Sequence, residues 1–169
     1  MDGEQKKVTN IYAMLCVSLM LSFLPMATAA GLSLMMFAAV LIAAYTLRGR
    51  APQGSLVSDH MTYIIRTLWI SGFFALVTMT IACIYVIGVY DPSSIEPCAE
   101  AVMNATDQAA VKAAFQPCFN EFMSVNMKHF LVGAIIGAGP IVIYLAYRIA
   151  KGVTRAIKGH RIGDIKAWF

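Results

Sequence analysis

Asp, Glu, Lys, Arg and His are missing from three long stretches of this 169-residue chain, 8–47, 67–90 and 130–147. Stretches of that length without one ionisable side chain are foreign to a water-soluble fold. A bilayer hydrocarbon core about 30 Å thick takes about 20 apolar residues at 1.5 Å rise each, and these runs meet or approach that length. Period-two alternation of apolar and polar residues is missing as well, which excludes the strands of a membrane barrel. Where lipid offers no hydrogen bonds, each span must satisfy its own backbone and is therefore a helix.

Other absences narrow the function. Proton relays and ion-coupled carriers usually need an ionisable group within the membrane, and no span has one, which disfavours a proton-coupled carrier. His60, His129 and His160 all fall at span ends, His129 opposite the other two, so a haem held by two histidines inside the bilayer has no candidate pair. Walker loops, dinucleotide fingerprints, paired-cysteine zinc spacings and nucleophile elbows are absent, and neither a cofactor nor a catalytic residue is expected. Met123, Met127 and His129 together suggest a soft copper site, but 11 methionines in so apolar a chain are read as packing.

What remains is strongly apolar. Hydrophobic residues make up 59% and charged residues 13%, against about 25% charged in soluble domains. The net charge of +4 sits at the ends of the apolar runs and not on an aromatic-studded face, so nucleic acid is not an expected partner.

As one helix, 8–47 would be about 60 Å long, twice the hydrocarbon thickness, so it must turn. Pro25 is the natural place, with Thr28 and Gly31 close behind. Lys6 and Lys7, an apolar run, Pro25 and Ala27-Thr28-Ala29 also resemble a secretory signal with its cleavage site; the segment is read as a retained first span. The expected spans are 8–24, 27–47, 67–90 and 130–149, within a single membrane domain over 1–169. Lys6, Lys7, Arg48, Arg50, Arg66 and the basic tail 150–169 fall on one side, whereas the loop 91–126 carries Asp91, Glu96, Glu100, Asp107 and Glu121 against Lys112. The positive-inside rule then gives an all-α, four-helix transmembrane bundle with both termini cytoplasmic.

Cys16 and Cys83 lie in spans and are read as small hydrophobes. Cys98 and Cys118 bracket the acidic outer loop, where thiols oxidise. A straight helix between them would hold them about 30 Å apart, far beyond the roughly 4.4–6.8 Å between α-carbons that a disulfide needs. Asn104, Thr106 and Asp107 supply a bend, so the loop is predicted to be a small helical hairpin, 95–103 and 107–115, closed by Cys98 and Cys118.

Gly133 and Gly137 form a small-xxx-small pair followed by Gly139 and Pro140, a packing face for a helix of this chain or of a second protein. At the inner surface, 57–66 reads as an interfacial helix containing His60 and Arg66. Arg148, Lys151, Arg155 and Lys158 face the anionic leaflet, and Trp168 and Phe169 anchor the end. Membrane lipids are thus expected partners.

Two strings resemble a known family. Ser58-Asp59-His60-Met61-Thr62-Tyr63-Ile64-Ile65-Arg66-Thr67-Leu68-Trp69 is similar to a motif in which a Ser-His pair and an aromatic precede an Arg-Thr-aromatic-Trp entry into a span. The stretch from Tyr147-Arg148 through Gly152 and Gly159 to Ile162, Asp164 and Trp168 is similar to the same family's closing helix. The group comprises small bacterial inner-membrane proteins of unknown function, classed with the chloroplast inner-envelope translocon family. The resemblance implies a four-helix membrane domain and permits a translocation or assembly role; Asp59 between Ser58 and His60, and the cysteine-bearing loop, depart from it. The expected function is a non-catalytic accessory, assembly or stabilising subunit packed against other integral membrane subunits. The alternative is a small homo-oligomeric channel or solute or lipid carrier. Acid-base work on lipids by His60, Asp59 and Arg66 ranks third.

Overall fold

The computed structural model describes residues 2–93 and 95–163. Trp168 and Phe169, the expected tail anchor, lie outside them. Five helices run in order: α1 (Gly3–Ser22), α2 (Ala27–Arg50), α3 (Leu56–Val89), α4 (Ile95–Met103) and α5 (Gln108–Ile157); the described residues include no strand. Three of them, α2, α3 and α5, are long and apolar enough to cross a membrane. The polar first turns of α1, with Glu4, Lys6 and Lys7, leave it about 15 apolar residues, or about 22 Å.

Large apolar side chains point outward in numbers no aqueous surface tolerates. Leu76, Ile84 and Ile87 on α3 are 67–70% exposed, as are Leu34 and Met35 on α2 and Ile143 on α5 to a similar degree. Lipid is the solvent that accounts for them.

The chain divides into two compact units. The first, Met1–Phe74 with Ile141–Phe169, contains α1, α2, the start of α3 and the end of α5. Pro25 sits in the connection 23–26, where its missing N–H interrupts no helix, and α1 and α2 pack against each other as a hairpin. Ser33 donates to the carbonyl of Ser18 across them at 2.7 Å, the kind of interhelical bond that replaces hydrophobic drive in a membrane. Val8, Ile11, Tyr12 and Leu15 of α1 meet Val40 and Ala44 of α2, Met61, Ile64 and Ile65 of α3, and Tyr144, Leu145 and Ile149 of α5 in one apolar core. Residues 57–66 are the first turns of α3, which starts at Leu56, is capped by the Ser55 hydroxyl on the Ser58 N–H, and leads without a break into the apolar run.

The second unit, Ala75–Pro140, holds the end of α3, α4 and the start of α5. Cys98 and Cys118 are paired, their α-carbons 5.6 Å apart. α4 forms the first arm of the expected hairpin, but its second arm does not stop at 115. Asp107 accepts from the Ala110 N–H and starts α5, which runs for 50 residues through Pro117 and Pro140. Each proline deletes a single ladder bond, and the neighbouring turns keep the helix whole. Gly133 and Gly137 are filled from α3: an added Cβ would lie 2.6 Å from Val86 Cγ2 at the first and 3.0 Å from Met79 Sδ at the second. Thr78 donates to the Gly137 carbonyl at 2.7 Å along the same seam. Gly139 meets only Ile135 of its own helix, and Pro140 is exposed. Where α3 ends, Asn126 clamps Asp91 reciprocally, accepting from its N–H at 2.6 Å and donating to its carbonyl at 3.0 Å. The Ser93 N–H in turn holds the Asp91 carboxyl below the usual carboxylate range.

Alkylation of the denatured, unreduced protein should therefore label two cysteines, Cys16 and Cys83, and reduction should raise the count to all four. Mass spectrometry reads the difference.

Candidate functional site: a buried polar cluster in the first unit

The polar residues that the apolar core encloses gather on the first turns of α3 and the last turns of α5. Their spacing explains why. Tyr63 and Thr67 are one turn apart on α3, and Tyr144, Arg148 and Gly152 follow one another at single turns on α5, so each set occupies one face. Arg148 is 0% exposed. Its guanidinium lies 3.7 Å from the centroid of the Tyr63 ring and 5.9 Å from that of Tyr144, and its Nε donates to the Thr67 hydroxyl at 3.1 Å. Thr67 passes its own proton to the Tyr63 carbonyl at 2.7 Å, while the Tyr63 hydroxyl donates to the Arg148 carbonyl at 3.2 Å. A desolvated cation on an aromatic face is worth about 2 kcal/mol, and a hydrogen bond to a charged group about 1.5–3 kcal/mol.

One turn beyond Arg148, Gly152 leaves room for Tyr12 of α1. A Cβ there would collide with the Tyr12 hydroxyl and lie 2.5 Å from its Cζ. Through that gap the Tyr12 hydroxyl reaches His60 Nδ1 at 3.2 Å. The other ring nitrogen, Nε2, is 3.0 Å from the His160 carbonyl, which only accepts. Nε2 therefore carries a proton, and the Tyr12 hydroxyl, which can donate or accept, pairs with Nδ1.

His160 arrives by a helix stop written in the sequence. Gly159 adopts φ +67°, its N–H bonds the Ala156 carbonyl at 3.0 Å, and the His160 N–H bonds the Arg155 carbonyl at 2.9 Å. This is a Schellman ending, in which glycine takes the left-handed position that reverses the chain. The reversed segment sets Arg161 beside Asp59, Nε to Oδ2 at 2.6 Å, and buries Ile162. Arg155 donates to the Arg161 carbonyl at 3.1 Å. Gln5 of α1 donates to the carbonyls of Ala156 and Ile157 in the last turn of α5, the first of which also accepts from the Gly159 N–H. Gly54, at φ +77°, lies under the Arg161 guanidinium.

Among the residues the sequence assigned to the inner surface, the cluster contains His60 and Arg148, both fully buried and turned into protein rather than toward headgroups. Arg66 and Lys151 are half-buried, Lys151 lying 5.4 Å from the Tyr147 ring, and Lys158 is exposed. The glycine pair and Cys98 with Cys118 belong to the second unit. Sequence reasoning passed over Tyr12, Tyr63, Gly152 and Arg161. The signal for two of them was the one-turn spacing of Tyr63 from Thr67 and of Gly152 from Arg148; nothing local marks Tyr12 or the pairing of Arg161. Among the described residues, no three His, Cys, Asp or Glu side chains gather as a metal site would require.

No protein-family model matches the chain, and neither a curated protein nor a solved structure does. The two strings that carried the resemblance are nonetheless the two that meet here: Asp59, His60, Tyr63 and Thr67 come from the first, and Arg148, Gly152 and the 159–162 turn from the second.

Asp59→Asn removes the charge that holds Arg161, whose side chain is 60% exposed, so the loss is about 0.5–1 kcal/mol. Tryptic cleavage after Lys158 and Arg161 in detergent should speed up several-fold while the rest of the chain stays resistant. Gly152→Ala strikes the fixed Tyr12 ring and should cost about 1–3 kcal/mol, read as a lowered thermal midpoint in detergent. Gly139→Ala meets open space and should leave the midpoint unchanged or raise it slightly.

Proposed function

We propose that the protein is a non-catalytic, multi-pass protein of the bacterial inner membrane that serves as an accessory, assembly or stabilising subunit of a larger membrane complex. In this reading α1 is a fourth span, its Lys6 and Lys7 reaching back to the headgroups, and both termini are cytoplasmic. The disulfide-braced segment of α4 and early α5 then stands in the periplasm. The resemblance to the translocon group agrees with such a role but does not select the process it serves.

The observation that carries the proposal is the start of α5. From Gln108 to Pro140 the helix has about 33 residues, about 50 Å, while the charge-free run begins only at Phe130. About 30 Å of helix bearing Lys112, Gln116, Asn120 and Glu121 thus lies outside hydrocarbon. On that water-facing length Phe115 and Phe119 stack at 5.7 Å between centroids and are 53% and 44% exposed. Exposed stacked aromatics on a braced extramembrane helix are the surface a protein partner covers.

The polar cluster supports the same reading. Its hydroxyls, imidazole and guanidinium are spent on binding one helix to another and on holding the 159–162 turn, and His60, the natural acid-base group, is sealed. The carrier alternative drew on the glycine face and on the Ser/Thr content of α3. Gly133 and Gly137 are filled by α3, Thr78 is bonded to Gly137, and Thr80 is bonded to Leu76 of its own helix. Those features are used within the chain.

Gentle detergent extraction of the tagged protein from its native membrane, followed by native mass spectrometry, tests the proposal. Stoichiometric recovery of a foreign integral subunit, lost when Phe115 and Phe119 are both changed to Ser, is the expected result. Recovery of the protein alone, as monomer or homo-oligomer, overturns it.

A further inference from the structure

A cleft of about 490 Å³ opens in the first unit between the end of α2 and the start of α3, lined by Tyr45, Arg48, Gly49, Gln53, Ser58 and Thr62. Its depth in the membrane is marked by an aromatic pair: Trp69 Nε1 donates to the Tyr45 hydroxyl at 3.0 Å, and both rings are exposed. Paired amphipathic rings of this kind sit at the boundary between hydrocarbon and headgroups. Arg48 is three residues beyond Tyr45, on the same face of α2 and about 4.5 Å further along its axis. Thr62 and Ser58 are seven and eleven residues before Trp69, on the same face of α3 and on the same side of the boundary. Arg48 therefore falls within the headgroup layer, which is roughly 5–7 Å deep on each face of a bilayer, and the cleft opens outward from it past Thr62 and Ser58, about 10 and 16 Å along α3 from Trp69.

Its chemistry is that of an anion site. Arg48 supplies a fork of N–H donors, Gln53 an amide and Ser58 a hydroxyl, and no carboxylate lines the cleft among the described residues. The nearest acidic group in sequence, Asp59, is turned to Arg161. Thr62 donates its hydroxyl proton to the Ser58 carbonyl and so is not one of the donors. A Cβ on Gly49 would meet nothing within 4 Å, so the floor beside Arg48 is open to an oxygen-rich group.

We infer that this cleft binds the phosphate of an anionic glycerophospholipid headgroup, with Arg48 as its main ligand and the lipid's acyl chains lying against the exposed Tyr45 and Trp69 rings. The inference needs only that α2 and α3 cross the membrane, and it stands or falls apart from the accessory role. A free phosphate ion has the same oxygen chemistry but no chains to lie on those rings, and the test separates the two.

Purified protein in a neutral detergent is titrated with palmitoyl-oleoyl phosphatidylglycerol or with the zwitterionic phosphatidylcholine of the same chains, and bound lipid is read by native mass spectrometry. The expected result is preferential retention of phosphatidylglycerol, lowered about tenfold by Arg48→Gln and unchanged by Lys112→Gln, which removes the same charge in the second unit. Gly49→Leu, which fills the open floor with a good helix former, should lower retention without lowering the thermal midpoint. Equal retention by the parent and Arg48→Gln overturns the inference. So does displacement of all phosphatidylglycerol selectivity by millimolar inorganic phosphate, which would make the cleft a free-anion site. The Phe115 and Phe119 substitutions should not move lipid retention, so failure of the subunit proposal would be seen separately.

Discussion

A guanidinium enclosed by its own protein is the constraint around which the first unit is arranged. Burying an unpaired charge costs several kcal/mol, so Arg148 is tolerable only where aromatic faces and oxygen acceptors are already fixed. Tyr63 supplies the face and Thr67 the acceptor, and both must come from the same side of α3. The Tyr63 hydroxyl then returns to the Arg148 carbonyl. This reciprocity sets the register of α3 against α5: sliding either helix by one residue would turn Arg148 from Tyr63 toward lipid. In a membrane, where apolar contact between helices gains little over contact with lipid, such a polar lock specifies a pairing that leucines alone would leave loose.

Register fixed in this way propagates outward. With Arg148 placed, Gly152 falls one turn on, and its missing side chain admits Tyr12, which brings α1 against both other helices. Tyr12 pairs with His60 Nδ1, and the Nε2 proton of His60 goes to the His160 carbonyl. That carbonyl is in place because Gly159 stops α5 and reverses the chain. Three segments remote in sequence, around Tyr12, 59–67 and 148–162, are thus joined through complementary groups. Asp59 and Arg161 close the outer end, more weakly because Arg161 faces solvent.

The helical class was legible in the sequence because lipid leaves so few backbone choices: uncharged runs without alternation must be helices. Cys98 and Cys118 were legible as a pair for a similar reason, since a bend between them was the only geometry that suited both their spacing and their surroundings. The end of the second hairpin arm was not. The arm was expected to end at 115, yet nothing after that residue stops the helix: the proline at 117 removes one bond, and a 50-residue helix absorbs that loss. The cluster was hidden for a different reason. Positive-inside counting assigns Arg148 to the surface from its position at the end of an apolar run, and counting cannot tell a basic residue that reaches headgroups from one turned onto a tyrosine. Tyr12 is less legible still, because one tyrosine in an apolar span reads as packing until its partner on another helix is known.

The two units solve the problem of holding helices together in lipid by different chemistry. The first uses hydrogen bonds and a cation on an aromatic face; the second uses close glycine packing, the Asn126 clamp on Asp91 and a covalent bridge. The division follows what each surrounding offers. Glycines let α3 and α5 approach until dispersion contacts suffice, with Thr78 adding one bond to the Gly137 carbonyl. Beyond the charge-free run of α5, water competes for every hydrogen bond, and a short helix such as α4, nine residues long, is marginal by itself. A disulfide does not compete with water. By tying α4 to α5, it keeps the stacked Phe115 and Phe119 on a defined scaffold, so that ordering this surface is not a cost left to the moment of binding. A braced aromatic surface of this kind is difficult to explain as membrane anchoring, since it lies where the chain is acidic and polar. It suits the subunit contact proposed for this segment.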